Sequence, residues 1–252
     1  MRDKIFDNAV AFYMQQVVEK QNMEPRYYVI KVYCDNELYL IDVIDKIQID
    51  CLEPKKSIFT YYYKTLKGEI DFEKVNDKPI TKQEAEKKKR EVLSRYFDDN
   101  GFYPKYNQGV FEREFQEKYL NTSYRQGWSD WFQITEEEIE KRVDEGHLFG
   151  NYMYASIGEG EINVDYVGRC TDEELQERIK HRLRKDDTQY KDYEDNATNY
   201  VKFRYAANER EAIEIECLLY HWHGGKAKLI NDIHPATTDD VKCPISLCEL
   251  FE

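Results

Sequence analysis

The sequence predicts an α+β fold, in which antiparallel strands and separate amphipathic helices share the chain. Three observations lead to this prediction. Segments rich in tyrosine and β-branched residues alternate with turn residues, a pattern typical of hairpins. Other segments repeat apolar residues at helical spacing behind capping boxes, in which Thr or Asn is followed three residues later by Glu. The chain has 252 residues, 41% of them hydrophobic, so it is long enough to bury a substantial core.

The first half is predicted to mix helices with antiparallel strands. The letters CDNE, residues 34–37, are turn formers between two apolar segments and indicate a hairpin. Capping boxes at Thr81 and Thr135 predict two helices, which end near Phe97 and Gly146, with an irregular aromatic segment between them. The other predicted elements are a helix over 2–20 and strands over 46–52 and 57–66.

The pattern restarts at Phe149, which predicts one domain over 1–147 and a second, smaller one over 148–252. The second domain is predicted to contain, in order, a β-hairpin, a helix, a third strand and a helix. The turn of the hairpin is GEGE, and Thr171 with Glu174 is predicted to cap the first helix. Asn208 is predicted to cap the last helix.

The net charge limits the partners that the chain can bind. Acidic residues outnumber basic ones by 50 to 37, which leaves a formal net charge of −13. Nucleic acid repels a chain of this charge except where a few cations are placed together. We therefore expect any phosphate binding to be local.

The cysteines and the hydropathy indicate a cytoplasmic location without a membrane partner. None of the six cysteines forms a Cys-x-x-Cys pair, which suits reduced thiols better than a disulfide framework. No apolar run approaches the ~20 residues of a membrane-spanning helix, and the N-terminus lacks the apolar core of a signal peptide.

Glu216 has an unusual position in the last predicted helix. At ~100° per residue it falls in the middle of the apolar arc that contains Ala212, Ile215 and Leu219. A carboxylate on a core-facing stripe is costly unless it is neutralised, hydrogen-bonded or bound to a cation. Two interpretations follow: an ion pair with an arginine that serves the fold, or a ligand of a metal ion.

Basic side chains gather near the preceding helix and the third strand. Arg178 and Arg182 line one flank of the apolar stripe of that helix, where two guanidinium groups can hold a phosphate through bidentate contacts. Alternation in the strand places Lys202 and Arg204 on one face. The alternative for all four is a solvated surface with ordinary ion pairs. The apolar stripe consists of Leu175, Ile179 and Leu183.

The order of these features resembles the GIY-YIG nuclease family. The resemblance covers residues 149 to about 235. Tyr166-Val167-Gly168 matches the second half of the family motif, and Arg178 lies where the family carries its catalytic arginine. Glu216, followed by CLLYH, matches the glutamate that binds the metal. Asn231 lies where the family often has a closing asparagine.

The first half of the motif has two candidates. Gly150 and Tyr152 keep its Gly and Tyr but leave thirteen residues before Tyr166. Tyr154 leaves eleven, nearer the usual spacing of the family. Both tyrosines are expected on the same face of their strand, so either can reach the site.

The resemblance implies a metal-dependent endonuclease that hydrolyses phosphodiester bonds in nucleic acid, with DNA as the expected substrate. It implies that Glu216 binds Mg²⁺ or Mn²⁺, that Arg178 holds the scissile phosphate, and that a tyrosine orients or deprotonates the water. His181 is either a secondary base or a surface histidine. We expect the site to converge on one concave surface. The candidate tyrosines are Tyr152, Tyr154 and Tyr166, and the candidate phosphate-binding residues are Arg169, Arg182 and Lys202.

An alternative is a catalytically silent GIY-YIG-like module that binds a partner, which the acidic balance favours. Residues 1–147 match no nucleic-acid motif, and we expect them to select the target or bind a protein partner. The aromatic segment 124–134 can stack on bases, bind a partner or pack the two domains together.

The C-terminal histidines and cysteines are not expected to bind zinc. Cys243 and Cys248 are five positions apart, a poor match to paired zinc ligands, and there is no second cysteine pair. The His234-Pro235 dipeptide indicates a turn after the last helix.

Overall fold

The computed structural model of the chain describes residues 25–46, 49, 70–158, 160–183 and 198–251. Contacts divide the chain into two compact units. The first contains the described residues up to Ser94 together with Pro104–Gly109, and the second contains Arg95–Tyr103 and the described residues from Val110 onward. The helix predicted over 2–20, the strand predicted over 57–66 and most of the strand predicted over 46–52 lie outside the described ranges.

The first unit contains a three-stranded antiparallel sheet in the order β2-β1-β3. The predicted hairpin around CDNE is confirmed, because Asp35 and Asn36 form its turn with φ of 51° and 68°. Asp and Asn tolerate this left-handed region better than most residues. The strands are β1 (Tyr27–Cys34), β2 (Glu37–Asp45) and β3 (Ile70–Lys74).

Two helices follow, α1 (Lys82–Asn100) and α2 (Lys105–Phe115). The capping box that opens α1 is confirmed: the Glu84 N–H donates to Thr81 Oγ1 at 3.3 Å, and the Thr81 N–H donates to the Glu84 carboxylate at 2.9 Å. The helix ends at Asn100 and is followed by Gly101, whose φ of 75° suits glycine. The sequence pattern did not predict α2.

The second unit is built on a four-stranded antiparallel sheet in the order β4-β7-β5-β6. The hairpin predicted after Phe149 is confirmed as β5 and β6, with β6 at the edge of the sheet. The third predicted strand pairs with β5 on the other side. The strands are β4 (Phe132–Gln133), β5 (Gly150–Gly158), β6 (Glu161–Cys170) and β7 (Thr198–Tyr205).

Three helices belong to this sheet: α3 (Glu136–Arg142), α4 (Leu175–Lys180) and α5 (Glu209–Trp222). The caps predicted for α3 and α5 are confirmed, since Thr135 and Asn208 accept from backbone N–H groups of the first turns at 3.2 and 3.0 Å. None of the helices in the described ranges is long and apolar enough to cross a membrane.

The cap predicted for α4 is wrong. The helix begins at Leu175, and Glu174 precedes it in an extended conformation without a capping side chain. It is also shorter than predicted, because a 3₁₀ turn over His181–Leu183 follows Lys180. Leu183 was expected to be buried but is 42% exposed, since this turn takes it off the helical stripe.

The domain boundary predicted near residue 147 does not coincide with the division of the chain. Phe132 lies on β4, which pairs with β7, and Ile139 on α3 packs in the same core as Tyr152 and Ile179. The restart of the pattern at Phe149 marks a new hairpin, but this hairpin completes a sheet whose first strand comes earlier in the chain.

Candidate active site

Three tyrosines form a stack on one face of the β5–β6 hairpin. Tyr152 and Tyr154 alternate along β5, and Tyr166 on β6 is the direct partner of Tyr154. Their ring centroids lie 5.1 to 6.1 Å apart. The expectation that the tyrosines share a face is confirmed, and Tyr152 and Tyr154 are fully buried.

Gly168 is required by this stack. It lies opposite Tyr152 in the antiparallel register, and the Tyr152 ring lies across it. A Cβ at this position would come within 2.5 Å of Tyr152 Cζ and 2.6 Å of Oη. The glycine of Tyr-Val-Gly therefore has a steric explanation, which does not depend on its backbone dihedrals.

Helix α4 places Arg178 against the stack. Leu175 and Ile179 are fully buried beneath the helix, as predicted. On the flank of this stripe, the Arg178 Nε–H donates to Tyr152 Oη at 3.1 Å, and Nη1 donates to a Glu173 carboxylate oxygen at 3.2 Å. The structure thus brings together the predicted arginine and one of the candidate tyrosines.

Glu173 connects Arg178 with His181. The second oxygen of the Glu173 carboxylate lies 3.3 Å from His181 Nε2. The side chains of all three residues are 23 to 27% exposed. Arg178 and His181 therefore converge on one carboxylate, whose place a phosphate can take because N–H donors bind carboxylate and phosphate alike.

Glu216 forms an ion pair with Arg169. The Arg169 Nη1–H donates to Glu216 Oε2, and the two side chains are 18% and 9% exposed. Burial raises the pKa of the Glu216 carboxyl above its usual value, although the neighbouring Arg169 opposes the shift. The inward position predicted for Glu216 is confirmed, and of the two interpretations the structure contains the ion pair.

The predicted single surface is not formed. Asn151 and Tyr152 are neighbours on β5 and point to opposite faces of the sheet. Tyr152 contacts Arg178 of α4, whereas Asn151 donates to the Ala212 carbonyl of α5 at 2.8 Å. Arg169 is the cross-strand partner of Asn151, so its pair with Glu216 lies on the α5 face. The site is divided into two halves by strand β6.

The two halves are near enough to interact electrostatically. Burial raises the pKa of Glu216, and Arg178 opposes this rise, although less than Arg169 does. Between the halves, the Asn231 amide contacts the outer edge of β6, where it accepts from the Val167 N–H at 3.1 Å and donates to the Val167 carbonyl at 2.8 Å. Asn231 thus holds the Tyr-Val-Gly strand in place.

The predicted phosphate-binding cations do not form one cluster. Arg169 pairs with Glu216, whereas Lys202 lies over the Trp131 ring with Nζ 6.0 Å from its centroid. Arg182 lies in the 3₁₀ turn after α4. Lys202 and Arg169 are on β7 and β6, with β5 between them, so in this structure the three cations lie at separate positions.

The sequence reasoning missed a group of histidines and cysteines. The ligand atoms of His221, His234, Cys243 and Cys248 lie within 4.8 Å of one another. The four residues come from the end of α5, the following loop and the C-terminal segment. Only the Cys-x₄-Cys spacing was visible in the sequence, and it falls at the upper end of the two-to-four-residue gap usual for zinc-binding cysteines.

Comparison with known proteins adds no family assignment. No match was found among models of protein families, curated proteins or solved structures. The resemblance of residues 149–235 to the GIY-YIG family therefore stays a prediction, and the function is argued from the side chains themselves.

Proposed function

We propose that this chain is a metal-dependent endonuclease that hydrolyses phosphodiester bonds, with DNA as the expected substrate. The observation that carries the proposal is the contact of Arg178 with both the Tyr152 phenol and a carboxylate that can be replaced by phosphate. Phosphodiester hydrolysis needs a cation on the phosphoryl oxygens and a group that orients the attacking water. Arg178 would serve the first purpose, and Tyr166 would serve the second, because it is the partly buried member of the tyrosine stack whereas Tyr152 is fully buried.

Glu173 would compete with the substrate for Arg178 and His181. Its carboxylate occupies the position in which the two side chains would hold the phosphate. Only substrates whose other contacts offset the loss of this ion pair would bind. Such selectivity is expected of an acidic protein that acts on nucleic acid, because its net charge repels the substrate elsewhere. Residues 1–147 would then supply contacts for the target or bind a protein partner.

Mg²⁺ or Mn²⁺ would be held by Glu216. Mg²⁺ commonly uses one or two carboxylates and keeps several waters, so one glutamate is sufficient in number. The carboxylate is hydrogen-bonded to Arg169, which must turn away before an ion can bind. When bound, the ion would neutralise charge on the phosphoryl oxygens.

Cleavage assays test the proposal. Supercoiled and linear DNA, single-stranded DNA and RNA are incubated with and without Mg²⁺. Arg178→Ala should lower cleavage about 10²- to 10³-fold, the loss expected for one preorganised electrostatic donor. Arg178→Lys should recover only part of it, because an ammonium cannot reproduce the guanidinium contacts. Glu216→Gln should remove the dependence on Mg²⁺.

Two variants serve as comparisons. Arg210→Ala removes an arginine of α5 that is 70% exposed and pairs with Glu214, so cleavage should be unchanged. Glu173→Gln weakens the competitor for Arg178 and should tighten DNA binding, measured by fluorescence anisotropy. Equal cleavage by wild type and Glu216→Gln would show that the metal assignment is wrong.

The ion pair between Arg169 and Glu216 favours a second candidate, a catalytically silent module that binds a partner. A buried carboxylate that is already neutralised needs no metal, and such a pair can serve the fold alone. A folded wild-type chain that cleaves none of the four substrates with Mg²⁺ or Mn²⁺ would support this candidate over the endonuclease.

A further inference from the structure

The arrangement of His221, His234, Cys243 and Cys248 has the dimensions of a tetrahedral metal site. Zn–N distances of about 2.0–2.1 Å and Zn–S distances of about 2.3 Å give tetrahedral edges of about 3.3 Å between nitrogens and about 3.6 Å between nitrogen and sulfur. The two Nε2 atoms lie 3.1 Å apart. Cys243 Sγ is 3.4 Å from His221 Nε2, and Cys248 Sγ is 3.6 Å from His234 Nε2.

In both histidines the Nδ1 atom, which is not a proposed ligand atom, has a hydrogen-bond partner. His234 Nδ1 lies 2.8 Å from the Pro235 carbonyl oxygen, which can only accept, so Nδ1 carries the proton and Nε2 presents a lone pair to the cluster. His221 Nδ1 lies 3.1 Å from Tyr103 Oη, which allows the same tautomer. Hydrogen bonds of this kind orient the histidine ligands of metal sites.

A proton shared between the two histidines is the alternative to a metal. It would explain the short distance between the Nε2 atoms, and a thiol hydrogen bond would explain each sulfur–nitrogen distance one pair at a time. Both cysteines are free thiols, so a disulfide does not bring them together. A cation with four ligands accounts for these three short distances together.

The cysteine ligands lie on a turn that is held in place independently. The Cys248 N–H donates to the Ile245 carbonyl, and the Cys243 N–H donates to the Leu250 carbonyl, both at 3.0 Å. In the middle of the turn, the Ser246 N–H donates to a Glu114 carboxylate oxygen at 3.1 Å. The turn therefore presents both sulfurs without needing the metal to fold it.

The site is shielded from water. His221, Cys243 and Cys248 are at most 3% exposed. Aromatic rings surround His221, with the Phe97 centroid at 5.0 Å and the Phe111 centroid at 6.3 Å. A buried site with two thiolate and two imidazole ligands suits Zn²⁺, because soft sulfur and nitrogen ligands in tetrahedral geometry favour this ion.

We propose that the chain binds one structural Zn²⁺ through His221 Nε2, His234 Nε2, Cys243 Sγ and Cys248 Sγ. Binding releases the two thiol protons, and the resulting complex of two thiolates, two neutral imidazoles and Zn²⁺ carries no net charge. All four positions are filled by protein, so the ion has no open position for catalysis. This zinc site is separate from the proposed endonuclease chemistry.

The zinc ion would tie the C-terminal segment to helix α5. His221 lies near the end of α5, five residues after Glu216, and His234 follows Asn231 by three residues. The ion would thereby fix both ends of the segment that carries Asn231, whose amide holds the edge of β6. Loss of zinc should loosen this segment before it affects the sheet.

Metal analysis of the untagged 252-residue chain tests the proposal. Inductively coupled plasma mass spectrometry should find about one zinc per chain in the wild type, as expected for one four-ligand site. Cys248→Ser and His234→Ala should each lose most of it. Cys170→Ala is the matched control, because Cys170 is a buried cysteine of β6 whose Sγ contacts the Glu173 carbonyl oxygen and is not a proposed ligand.

Cobalt substitution provides a test that does not depend on the folding of variants. Wild-type chain stripped by a chelator is titrated with Co²⁺, which should give the visible bands of tetrahedral coordination and a thiolate charge-transfer band, both complete at one equivalent. A zinc-free wild type without these bands would overturn the proposal. Loss of zinc from Cys170→Ala would show that the four ligands are assigned wrongly.

Discussion

Substitution of Gly168 tests the structural basis of the candidate site. A Cβ at Gly168 would lie 2.5 Å from Tyr152 Cζ, whereas carbon atoms normally approach to about 3.5–4.0 Å. The Tyr152 ring must therefore withdraw by about 1 Å in Gly168→Ala. The ring is fully buried in a close-packed core, so we expect a loss of about 2–3 kcal/mol in the free energy of unfolding, toward the upper end of usual overpacking costs.

Urea unfolding followed by tryptophan fluorescence measures this loss. All three tryptophans, Trp128, Trp131 and Trp222, lie in the second unit, so their signal reports the unit that contains Gly168. With an m-value of about 3 kcal/mol/M, the midpoint should fall by about 0.7–1 M.

Gly158→Ala is the matched control for Gly168→Ala. Gly158 also belongs to the β5–β6 hairpin, but a Cβ there meets only Asn163 Nδ2 at 3.5 Å, so stability should change by less than about 0.5 kcal/mol. A truncation of Tyr152 combined with Gly168→Ala should cost less than the sum of the single changes. Equal stability of the two glycine variants would refute the steric explanation.

Three further stability predictions use the same unfolding assay. Asn231→Ala should cost about 1–3 kcal/mol, because both backbone groups of Val167 lose their side-chain partner. Glu211→Ala should cost about 3–5 kcal/mol, because it leaves Arg204, whose side chain is 7% exposed, without its carboxylate; a loss below 1 kcal/mol would contradict this. The stability of wild type relative to Glu216→Gln should increase as the pH falls from neutral towards 4.5, and a difference independent of pH would contradict the buried-carboxyl interpretation. Because the pKa of Glu216 is raised in the folded state, the folded chain binds more protons than the unfolded chain. The stabilisation from this protonation is complete below the unfolded-state pKa and is lost as the pH rises through the folded-state pKa.

The acidic charge and the local pairing of cations have a consequence for regulation of the proposed activity. Arg169, Arg178 and Arg204 each contact a carboxylate. In the proposed activity, nucleic acid would therefore compete with the carboxylates of the protein itself, and its affinity would fall as the ionic strength rises. Weak binding to non-specific DNA is the expected behaviour of such a surface.

Local features of the fold followed directly from the sequence. The helix caps at Thr81, Thr135 and Asn208 were predictable because a cap joins residues three positions apart. The β5–β6 hairpin was predictable because its turn and alternation are local, and the inward position of Glu216 followed from helical periodicity alone. Each of these features depends on interactions within one element or between adjacent ones.

Tertiary structure alone decided which of these elements and side chains meet. The partner of Glu216 is 47 positions away, and the sequence offered several arginines for it. Strand β4 joined the sheet through β7, nearly 70 positions later, which moved the division of the chain away from residue 147. The zinc ligands His221 and His234 carry no fixed spacing, because a loop of any suitable path can bring them together. Periodicity determines the direction in which a side chain points, but the group it reaches depends on how the sheet orders its strands and where the helices cross them.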